Sequence, residues 1–583
     1  MNAVALGTVG VIVVVLVTTL APRIGIAAPL VLTLVGIGVS LLPFVGPIEV
    51  EPELIIGCLL PPLLYSAAVN IPVMEFRRDL PLISAFAVVL VVASAVLIGF
   101  VMTWLIPGLP LALGIAVGAI ASPTDAVATS IVRKVGVSTR IVTVLEGESL
   151  LNDATALVLL RSAVAAVATT VSVWQMAADF AYAVVLAILI GAIVGRVNLF
   201  VRARVRQVAS NVAFSFVVPF LAYLPTEELG GSGLVAAVTA GLVSGLGMPR
   251  QLVAEVRIAE HTVWKTIELL AESAVFLIMG LQVYGLVEDL THDGGNLGTA
   301  VGIGAIVATV VIAVRAVFIT GSVWGLTRRF DRRTARAQAH RERVSQRLAA
   351  VRADPELDAR VRQRIADAQG HSPGRRDPLH LGRLHDLIER RRADLEYLAA
   401  EHFGWREGTV LVWGGMRGAV TLAAAQSLPT TVPHRPLLVL VAFTVAVGTL
   451  LVQGATLAPI VKRLGLTRHD DADESRVAAL RVELAGAALA RLDDPALARP
   501  DGEPYDPAIV ARAQRWLASV AEPHDDDART TRLEWTQLRV DLIESQREEL
   551  LRLRRLGTYP GAVLNGALAL LDADQIVAEL HER

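Results

Sequence analysis

The chain has 583 residues, of which 54% are hydrophobic and only 19% are charged, and its formal net charge is −2. Soluble globular domains average about 45–50% apolar and about 25% charged residues, so this composition excludes a single soluble enzyme domain and favours many membrane spans. The near-neutral charge gives no reason to expect a nucleic-acid partner, and the single cysteine excludes an internal disulfide framework or a cysteine-based metal site within one chain.

Apolar stretches recur along the chain, and each approaches or reaches the roughly 20 residues that a helix needs to cross a bilayer. We identify thirteen, at residues 3–20, 27–42, 54–70, 80–106, 111–132, 144–168, 178–200, 207–224, 230–246, 262–287, 298–325, 409–428 and 436–461. They predict an all-α polytopic membrane protein with about thirteen transmembrane helices. No lysine or arginine precedes Arg23, so the first stretch lacks the basic region of a cleavable signal and is expected to be a retained span.

The connections between these stretches alternate in charge, which predicts their orientation because Lys and Arg favour the cytoplasmic side. Odd-numbered connections carry the basic residues, from Arg23 in the first to Lys462 and Arg463 after the last stretch. Even-numbered connections are poor in basic residues and often acidic. We therefore expect the N-terminus outside and the C-terminus in the cytoplasm. The preference for arginine over lysine is typical of a high-GC bacterium, so the expected location is a bacterial inner (plasma) membrane.

Two charged segments interrupt or follow the apolar stretches. We divide the chain into residues 1–327 with spans one to eleven, 328–408 as a cytoplasmic helical insertion, 409–465 with the last two spans, and 466–583 as a cytoplasmic helical tail. The two charged segments are either solvated helical extensions without chemistry or elements that regulate the protein or stabilise a dimer.

The sixth stretch contains a dense group of oxygen-bearing side chains. The four residues are Glu148, Ser149, Asn152 and Asp153. At about 100° per residue they spread over roughly 140° of the helix circumference, and therefore share one side of the helix. A charged side chain at the bilayer centre costs at least about 2.5–3.5 kcal/mol on insertion scales, so this side must face protein or water. The group is typical of an ion site rather than of polar contacts that only hold helices together.

The fifth and twelfth stretches are predicted to be interrupted helices. Ser122-Pro123-Thr124-Asp125 contains a proline that cannot donate a backbone hydrogen bond and clashes with the preceding turn. Gly414-Gly415-Met416-Arg417-Gly418 has three glycines around one arginine. Transporters built from inverted repeats have discontinuous helices at corresponding positions of their two halves. Stretches five and twelve are seven apart, which predicts repeats of spans 1–6 and 8–13 whose interrupted helices cross at the membrane midplane.

Two arginines lie deep in the remaining apolar stretches, at Arg315 and Arg417. Because an arginine keeps its proton, each is expected to have a carboxylate partner. We predict two structural ion pairs, Glu148 with Arg417 and Glu272 with Arg315.

Asp153 and Asp125 then remain without an obvious permanent cation, and are free to bind a proton or a metal ion. Na⁺ and Li⁺ are hard cations, which carboxylate, hydroxyl and carbonyl oxygens suit. Desolvation disfavours the charged form of a carboxylate, so a proton and a cation are expected to compete for Asp153. This competition couples the two fluxes, provided that the empty, charged site is reluctant to cross the membrane.

Three motifs resemble the monovalent cation:proton antiporter family, which includes bacterial NhaP-type proteins and animal Na⁺/H⁺ exchangers. They are Ser122-Pro123-Thr124-Asp125, Gly147-Glu148-Ser149-Leu150-Leu151-Asn152-Asp153 and Gly414-Gly415-Met416-Arg417-Gly418-Ala419. With the thirteen-stretch layout, the resemblance covers about residues 1–465. It implies a homodimer in the bilayer, with an interface domain and a core domain that move relative to each other.

The resemblance also implies roles for single residues. Asp153 is expected to be the essential carboxylate shared by H⁺ and the cation, and Glu148 is expected to pair with Arg417. The Asn152-Asp153 pair resembles the electroneutral branch of the family. The expected ligands of a transported Na⁺ are oxygens of Thr124, Asp125, Ser149, Asn152 and Asp153.

We therefore expect a secondary active antiporter, not an enzyme, which exchanges Na⁺, or also Li⁺, for H⁺ and serves pH and sodium homeostasis. It should need no cofactor beyond the transported ions. A K⁺/H⁺ antiporter of the same architecture is the nearest alternative, since oxygen ligands serve either ion. A channel or a non-transporting sensor is more remote. So is an intramembrane protease: Gly230-Gly231-Ser232-Gly233 matches a rhomboid-type pattern, but the nearest histidines lie at or beyond the ends of the predicted spans.

Overall fold

The computed structural model describes residues 3–24, 26–43, 50–168, 173–353, 403–467, 471–494, 497–499, 502–521, 538–550, 567, 570, 571 and 573–575. These residues are mainly helical, and among them no β-strand is formed. Contacts divide the chain into two compact units, Met1–Arg468 and His469–Arg583. All the predicted site residues lie in the first unit.

The helices of the first unit are numbered in chain order. Up to residue 202 they are α1 (Ala3–Leu20), α2 (Ala28–Ser40), α3 (Leu60–Asn70), α4 (Val73–Ser84), α5 (Val91–Leu105), α6 (Leu111–Ala121), α7 (Val127–Val135), α8 (Thr139–Ala168) and α9 (Val173–Arg202). The following ones are α10 (Val208–Ser215), α11 (Val218–Glu228), α12 (Gly233–Gln251), α13 (Ala254–Leu281), α14 (Val283–His292), α15 (Leu297–Ala353), α16 (Trp405–Trp413), α17 (Ala419–Gln426) and α18 (Arg435–Arg463). Two π-helical segments make longer helices continuous: Leu54–Leu59 precedes α3, and Ala85–Leu90 joins α4 to α5.

Within the described part of the chain, eight helices are long and apolar enough to cross a membrane. They are Val73–Leu105, Thr139–Val167, Ala177–Arg202, Val208–Glu228, Gly233–Gln251, Ala254–His292, Leu297–Leu326 and Arg435–Arg463. Shorter apolar helices, such as Ala28–Ser40 and Leu111–Ala121, accompany them. The all-α membrane fold is thus confirmed, and each predicted apolar stretch overlaps described helix. Thirteen as the number of spans stays a prediction.

Two of the predicted apolar stretches are interrupted in the middle. Residues 122–126 separate α6 from α7, because Pro123 has no backbone N–H and its ring clashes with the preceding turn. Residues 414–418 separate α16 from α17, and three of these five residues are glycine. Both breaks leave backbone groups without partners inside their own helices, so they require polar neighbours.

The interrupted helices lie inside the first unit. α6 packs closely on α5, because glycines leave room between the two backbones: a Cβ on Gly118 would overlap the backbone of Ala95, and one on Gly114 would overlap Gly99. The other side of α6 packs against α8, while α18 packs against α7, α15 and α17. Both breaks are therefore surrounded by other helices of the unit.

The N-terminal part of α8, the helix with the predicted carboxylate group, is fixed to α4. Arg140 donates through Nη2 and Nε to the two carboxylate oxygens of Asp79, at 2.6 and 2.9 Å, and both side chains are buried. The Arg140 guanidinium also lies 4.2 Å from the ring centre of Phe403, just before α16. At Gly147, directly before Glu148, an added Cβ would overlap the side chain of Ile83. α8 is thus held rigidly at this end.

The charged segments are described only in part. α15 continues as helix to Ala353, and the described chain resumes at residue 403, so most of the predicted insertion lies outside the described residues. In the second unit, α19 (Asp471–Leu492) and α20 (Pro507–Ala521) pack on each other, and residues 538–550 are helical. The domain boundaries at 327, 408 and 465 remain predictions.

Candidate functional site

Asp153 lies in the middle of α8 and is only 5% exposed. Among the described residues, its carboxylate has no hydrogen-bond or ion-pair partner. Asp125 is close enough to interact with it electrostatically. Ser149 is buried four residues before Asp153 and therefore lies one helical turn away on the same face. No cationic side chain among the described residues therefore pairs with Asp153. Ion exchange at this carboxylate requires that condition.

A chain of hydrogen bonds links α8 to the break between α6 and α7. Asn152 Nδ2 donates to Thr124 Oγ1 at 2.6 Å, and the Thr124 hydroxyl donates to Glu148 Oε1 at 3.4 Å. On the other side of Glu148, Arg315 of α15 binds both carboxylate oxygens, with 2.8 Å between Nη2 and Oε2. All four side chains are buried. This chain fixes the oxygens of Thr124 and Asn152 in the neighbourhood of Asp153.

The predicted pairing of Glu148 with Arg417 is wrong, because the partner of Glu148 is Arg315. Arg315 also donates through Nε to the carbonyl of Leu411 at 2.9 Å, so it is held by α16 as well. α15 packs against both α16 and α5, and this packing brings position 315 to α8. Two arginines buried in apolar stretches look alike in a sequence, and only the packing decides which one reaches a given carboxylate.

The predicted pairing of Glu272 with Arg315 is wrong for the same reason. Glu272 lies on α13, and the charged groups near it are Asp125, Glu268 and Lys134. It is therefore a further carboxylate near the first break rather than half of an arginine pair.

Arg417 binds backbone carbonyls at the end of α6 instead of a carboxylate. Its Nε donates to the carbonyl of Ala121 at 2.9 Å, its Nη2 to that of Ser122 at 3.4 Å, and its Nη1 to that of Gly415. The last carbonyls of a helix have no intrahelical partner, and the helix dipole makes this end negative. The guanidinium is therefore stabilised by the ends of α6 and α16. The backbone N–H of Arg417 donates to Thr449 Oγ1 of α18 at 3.0 Å.

Asp125 joins the two breaks and lies at the opposite helix ends. Its backbone N–H donates to the carbonyl of Met416 at 2.8 Å. Its Oδ1 accepts the N–H of Val127 at 3.0 Å, where α7 begins, and its Oδ2 lies against Gly418, immediately before α17. The N-terminal ends of helices are positive, so the two half-helices stabilise this carboxylate in its charged form. Asp125 is thus more firmly held than Asp153.

One buried oxygen beside the two aspartates lacks a partner. Asn152 is 1% exposed, and its Oδ1 has no hydrogen-bond partner among the described residues. Buried polar atoms are almost always paired, so an unpaired one indicates a place for water or an ion. At the first break Ala126, next to Asp125, is exposed at the surface of the unit, whereas Thr124 and Val127 are buried.

The available ligands suit a hard monovalent cation. Within the described ranges no group of three or more His, Cys, Asp or Glu side chains is arranged to hold a metal ion. The site instead combines two carboxylates with neutral hydroxyl, amide and backbone oxygens, the ligand types that hard cations prefer. The predicted set of Thr124, Asp125, Ser149, Asn152 and Asp153 falls on α8 and the adjoining break, and its role as a ligand set stays a prediction.

Several polar groups of the candidate site were absent from the sequence-based prediction. The carbonyls of Ala121, Ser122 and Met416 belong to the backbone, and a sequence only indicates that a break frees some of them. Thr449 was missed as well, because α18 has three threonines, Thr444, Thr449 and Thr456, and the sequence does not indicate which of them faces a polar partner.

Comparison with known proteins places these motifs in a family. The model described as "Sodium/hydrogen exchanger, transmembrane" matches residues 11–351 and 391–463, which is more than half of the chain. A protein named as an uncharacterized Na(+)/H(+) exchanger of Mycobacterium tuberculosis is 27% identical over 571 residues, covering 96% of this chain and 93% of that one. A sodium, potassium, lithium and rubidium/H(+) antiporter of Bacillus pumilus is 32% identical over 270 residues, covering 44% of this chain and 40% of that one.

A solved structure shows the same fold. The sodium proton antiporter MjNhaP1 from Methanocaldococcus jannaschii matches with a TM-score of 0.53 and 14% sequence identity, and the match covers 80% of this chain and 99% of that one. Members of the matched family are transporters and not enzymes, so the intramembrane protease is set aside. The resemblance seen in the sequence is confirmed: this multi-pass membrane protein belongs to the sodium/hydrogen exchanger family of monovalent cation:proton antiporters.

Proposed function

We propose that the protein exchanges Na⁺, or Li⁺, for H⁺ by alternating access, with Asp153 as the group that binds both ions in turn. One observation carries this proposal: a buried carboxylate without a permanent cation lies next to a buried oxygen without a partner, Asn152 Oδ1. Thr124, Ser149 and Asp125 supply the remaining oxygens of the proposed ligand set. The exchange needs no resident cofactor, since the two transported ions are the only reactants.

Competition for a single carboxylate accounts for the coupling. A carboxylate taken out of water is costly when it is charged and unpaired, and either a proton or a cation removes that cost. Asp153 therefore passes through the membrane interior neutralised by one ion or by the other. Because Asn152 rather than a second acid precedes it, we propose that one H⁺ exchanges for one cation and that the cycle is electroneutral.

The fixed charges around the site support this assignment. Asp125 lies on two positive helix ends and Arg417 on two negative ones, so their charges are balanced by the backbone in every step. We propose that the two interrupted helices, which touch through Asp125 and Met416, cross at the membrane midplane in the manner of inverted-repeat transporters. Asp153 is then the group whose charge changes during the cycle.

The orientation and assembly follow from the sequence and belong to the proposal. The distribution of Lys and Arg supports an external N-terminus and a cytoplasmic C-terminus in the plasma membrane of a bacterium. The protein is proposed to work as a homodimer in the lipid bilayer and to serve pH and sodium homeostasis.

A K⁺/H⁺ antiporter is the second candidate. The Bacillus pumilus relative is named for potassium and rubidium besides sodium and lithium, and its similarity covers 44% of this chain. The same oxygen ligands serve all these ions, and the size of the occupied site decides between them.

The test is cation-induced dequenching of a ΔpH-sensitive dye in proteoliposomes, with Na⁺, Li⁺ and K⁺ compared on the purified protein. We expect Na⁺ and Li⁺ to dequench with the wild type and no cation to do so with Asp153→Asn, although that variant folds. Asp179→Asn removes an exposed carboxylate on α9 and is the matched control, which should behave as the wild type. Exchange that persists in Asp153→Asn contradicts the proposal, and dequenching by K⁺ in preference to Na⁺ selects the second candidate.

A further inference from the structure

A cavity lies along the C-terminal half of α8, away from the end that Arg140 fixes. Its volume is about 490 Å³. Its lining includes Glu53, Leu157, Leu160, Arg161, Tyr223 and Leu428. Leu157 is four residues after Asp153, so the cavity begins one helical turn beyond the exchange site on the same face of α8. The contacts described for the exchange site do not use this space.

An ion pair spans the helices on either side of this cavity. Arg161 on α8 and Glu227 on α11 are 2.8 Å apart, from Nη2 to Oε2. The other carboxylate oxygen of Glu227 accepts the N–H of Gly233, the first residue of α12, at 3.0 Å. Glu227 is therefore fixed at the junction of α11 and α12, and Arg161 is the side chain that reaches across.

The two helices joined by this ion pair have different main packing partners. α8 packs mainly against α4 and α6 and makes smaller contacts with α3, α9 and α12, whereas α11 packs mainly against α12, α9 and α3. At this end the space between α8 and α11 is a cavity instead of packed apolar side chains. Separating α8 from α11 at this end therefore breaks the ion pair between Arg161 and Glu227 and only the smaller of the packing contacts of α8.

Building on the exchange function proposed above, we propose that this cavity is the outer entrance of the cation path and that Arg161 is its gate. In the structure described here, the Arg161 guanidinium occupies the place on Glu227 that an incoming monovalent cation takes when the entrance opens. When the entrance opens, α8 separates from α11 and Arg161 releases Glu227. The path is then open to Asp153, which lies one helical turn before Leu157 on α8.

The exposure of the ion pair suits a gate that opens in every cycle. The side chains of Arg161 and Glu227 are 57% and 22% exposed, respectively. Exposed ion pairs contribute little to stability because water solvates both charges after separation. Such a pair shifts the balance between closed and open entrances by a few-fold, and it is still broken and re-formed easily. A buried pair like that of Arg315 and Glu148 would hold the two helix groups together permanently.

The test measures access to the floor of the cavity with a single reporter cysteine. The chain has one cysteine, Cys58, which is exposed and follows Gly57 in the cavity lining, so Cys58→Ser gives a cysteine-free background. Leu157→Cys is then labelled on right-side-out vesicles with a membrane-impermeant, positively charged methanethiosulfonate. We expect Arg161→Gln to raise the labelling rate about threefold or more, and Arg161→Lys, which keeps the charge, to change it by less than twofold.

Glu227→Gln is expected to raise the labelling rate like Arg161→Gln, and the double variant no further, since either single change breaks the same ion pair. Arg196→Gln removes an exposed arginine of α9 and is the control that should leave the rate unchanged. Transport gives a second readout: Arg161→Gln should lower the KM for external Na⁺ several-fold, because a competing cation is lost, whereas Glu227→Gln should raise it.

Equal labelling rates in all variants would mean that the ion pair is only a surface contact, and labelling from the opposite membrane face alone would mean that the cavity is not the outer entrance. Either result overturns the proposal. Failure of the exchange function is a separate result, since it shows as absent dequenching in the wild type while the labelling rates still report the gate.

Discussion

Arg315 and Arg417 are 1% and 2% exposed, yet different chemistry stabilises each of them. Arg315 neutralises a carboxylate, Glu148, that the hydrogen-bond chain to Thr124 and Asn152 requires. Arg417 donates its guanidinium hydrogen bonds to carbonyls at the negative ends of two half-helices. Single residues thus maintain the surroundings in which Asp153 is left without a permanent partner.

The ion pair between Arg315 and Glu148 predicts a stability effect. Arg315→Gln is expected to destabilise the protein by about 3–5 kcal/mol, because Glu148 stays buried without its partner. The double variant with Glu148→Gln removes both charges and should recover most of that loss. Thermal unfolding of the purified protein in detergent measures both changes, with the exposed Arg196→Gln as control. Equal losses in the single and the double variant would disagree with this assignment.

Competition at Asp153 predicts how cation affinity depends on pH. A protonated Asp153 cannot bind the cation, so the apparent KM for Na⁺ should rise about tenfold for each unit by which the pH lies below the pKa of this carboxylate. Above that pKa the KM should be constant. Initial rates of ²²Na⁺ uptake into proteoliposomes at a series of pH values provide the test. A KM that does not change with pH would exclude a shared site.

At the scale of elements, the two breaks act as one unit. The hydrogen bond from Asp125 to Met416 and the contact of Asp125 with Gly418 bring the ends of α6, α7, α16 and α17 together. Opposite helix ends then stabilise one negative and one positive side chain, which makes irregular backbone tolerable inside an apolar bundle. Gly418, the residue before α17, has to be a glycine because a Cβ there would overlap the Asp125 carboxylate.

A small substitution tests this arrangement. A Cβ on Gly418 would overlap the Asp125 carboxylate, so Gly418→Ala must displace Asp125 and should lower the exchange rate at least about tenfold in a folded protein. Gly448→Ala on α18 is the matched control, since a Cβ there meets nothing within 4 Å. Dequenching assays measure the exchange rate of both variants. A wild-type rate for Gly418→Ala would show that exchange does not require the contact between Asp125 and Gly418.

At the scale of the whole molecule, the chain has two compact units, and all residues of the proposed exchange site lie in the first, Met1–Arg468. The family match ends at residue 463, close to the end of that unit. We therefore expect ion exchange to be independent of the second unit.

Truncation after Arg468 tests this separation. The shortened protein is expected to insert, fold and exchange Na⁺ for H⁺ at a rate within about threefold of that of the full chain. The reason is that Met1–Arg468 forms a compact unit of its own. Fluorescence-detected size exclusion followed by dequenching provides the measurement. A monodisperse truncated protein that no longer exchanges would make the second unit part of the transport machinery.

The sequence alone was sufficient for the all-α membrane fold, the two interrupted helices, the family and the burial of the polar group on α8, whereas the role of Asp153 stays a prediction. These features depend on local properties: the length of apolar stretches, the missing N–H of Pro123, the glycines of residues 414–418 and the spacing of polar residues along one helix. Which groups meet across the fold depended on tertiary packing, and there the sequence-based pairs of Glu148 with Arg417 and of Glu272 with Arg315 were wrong. A sequence shows that a buried charge requires a compensating group, but it does not show which group provides it. Only the fold shows whether a carboxylate or a helix end lies near that charge.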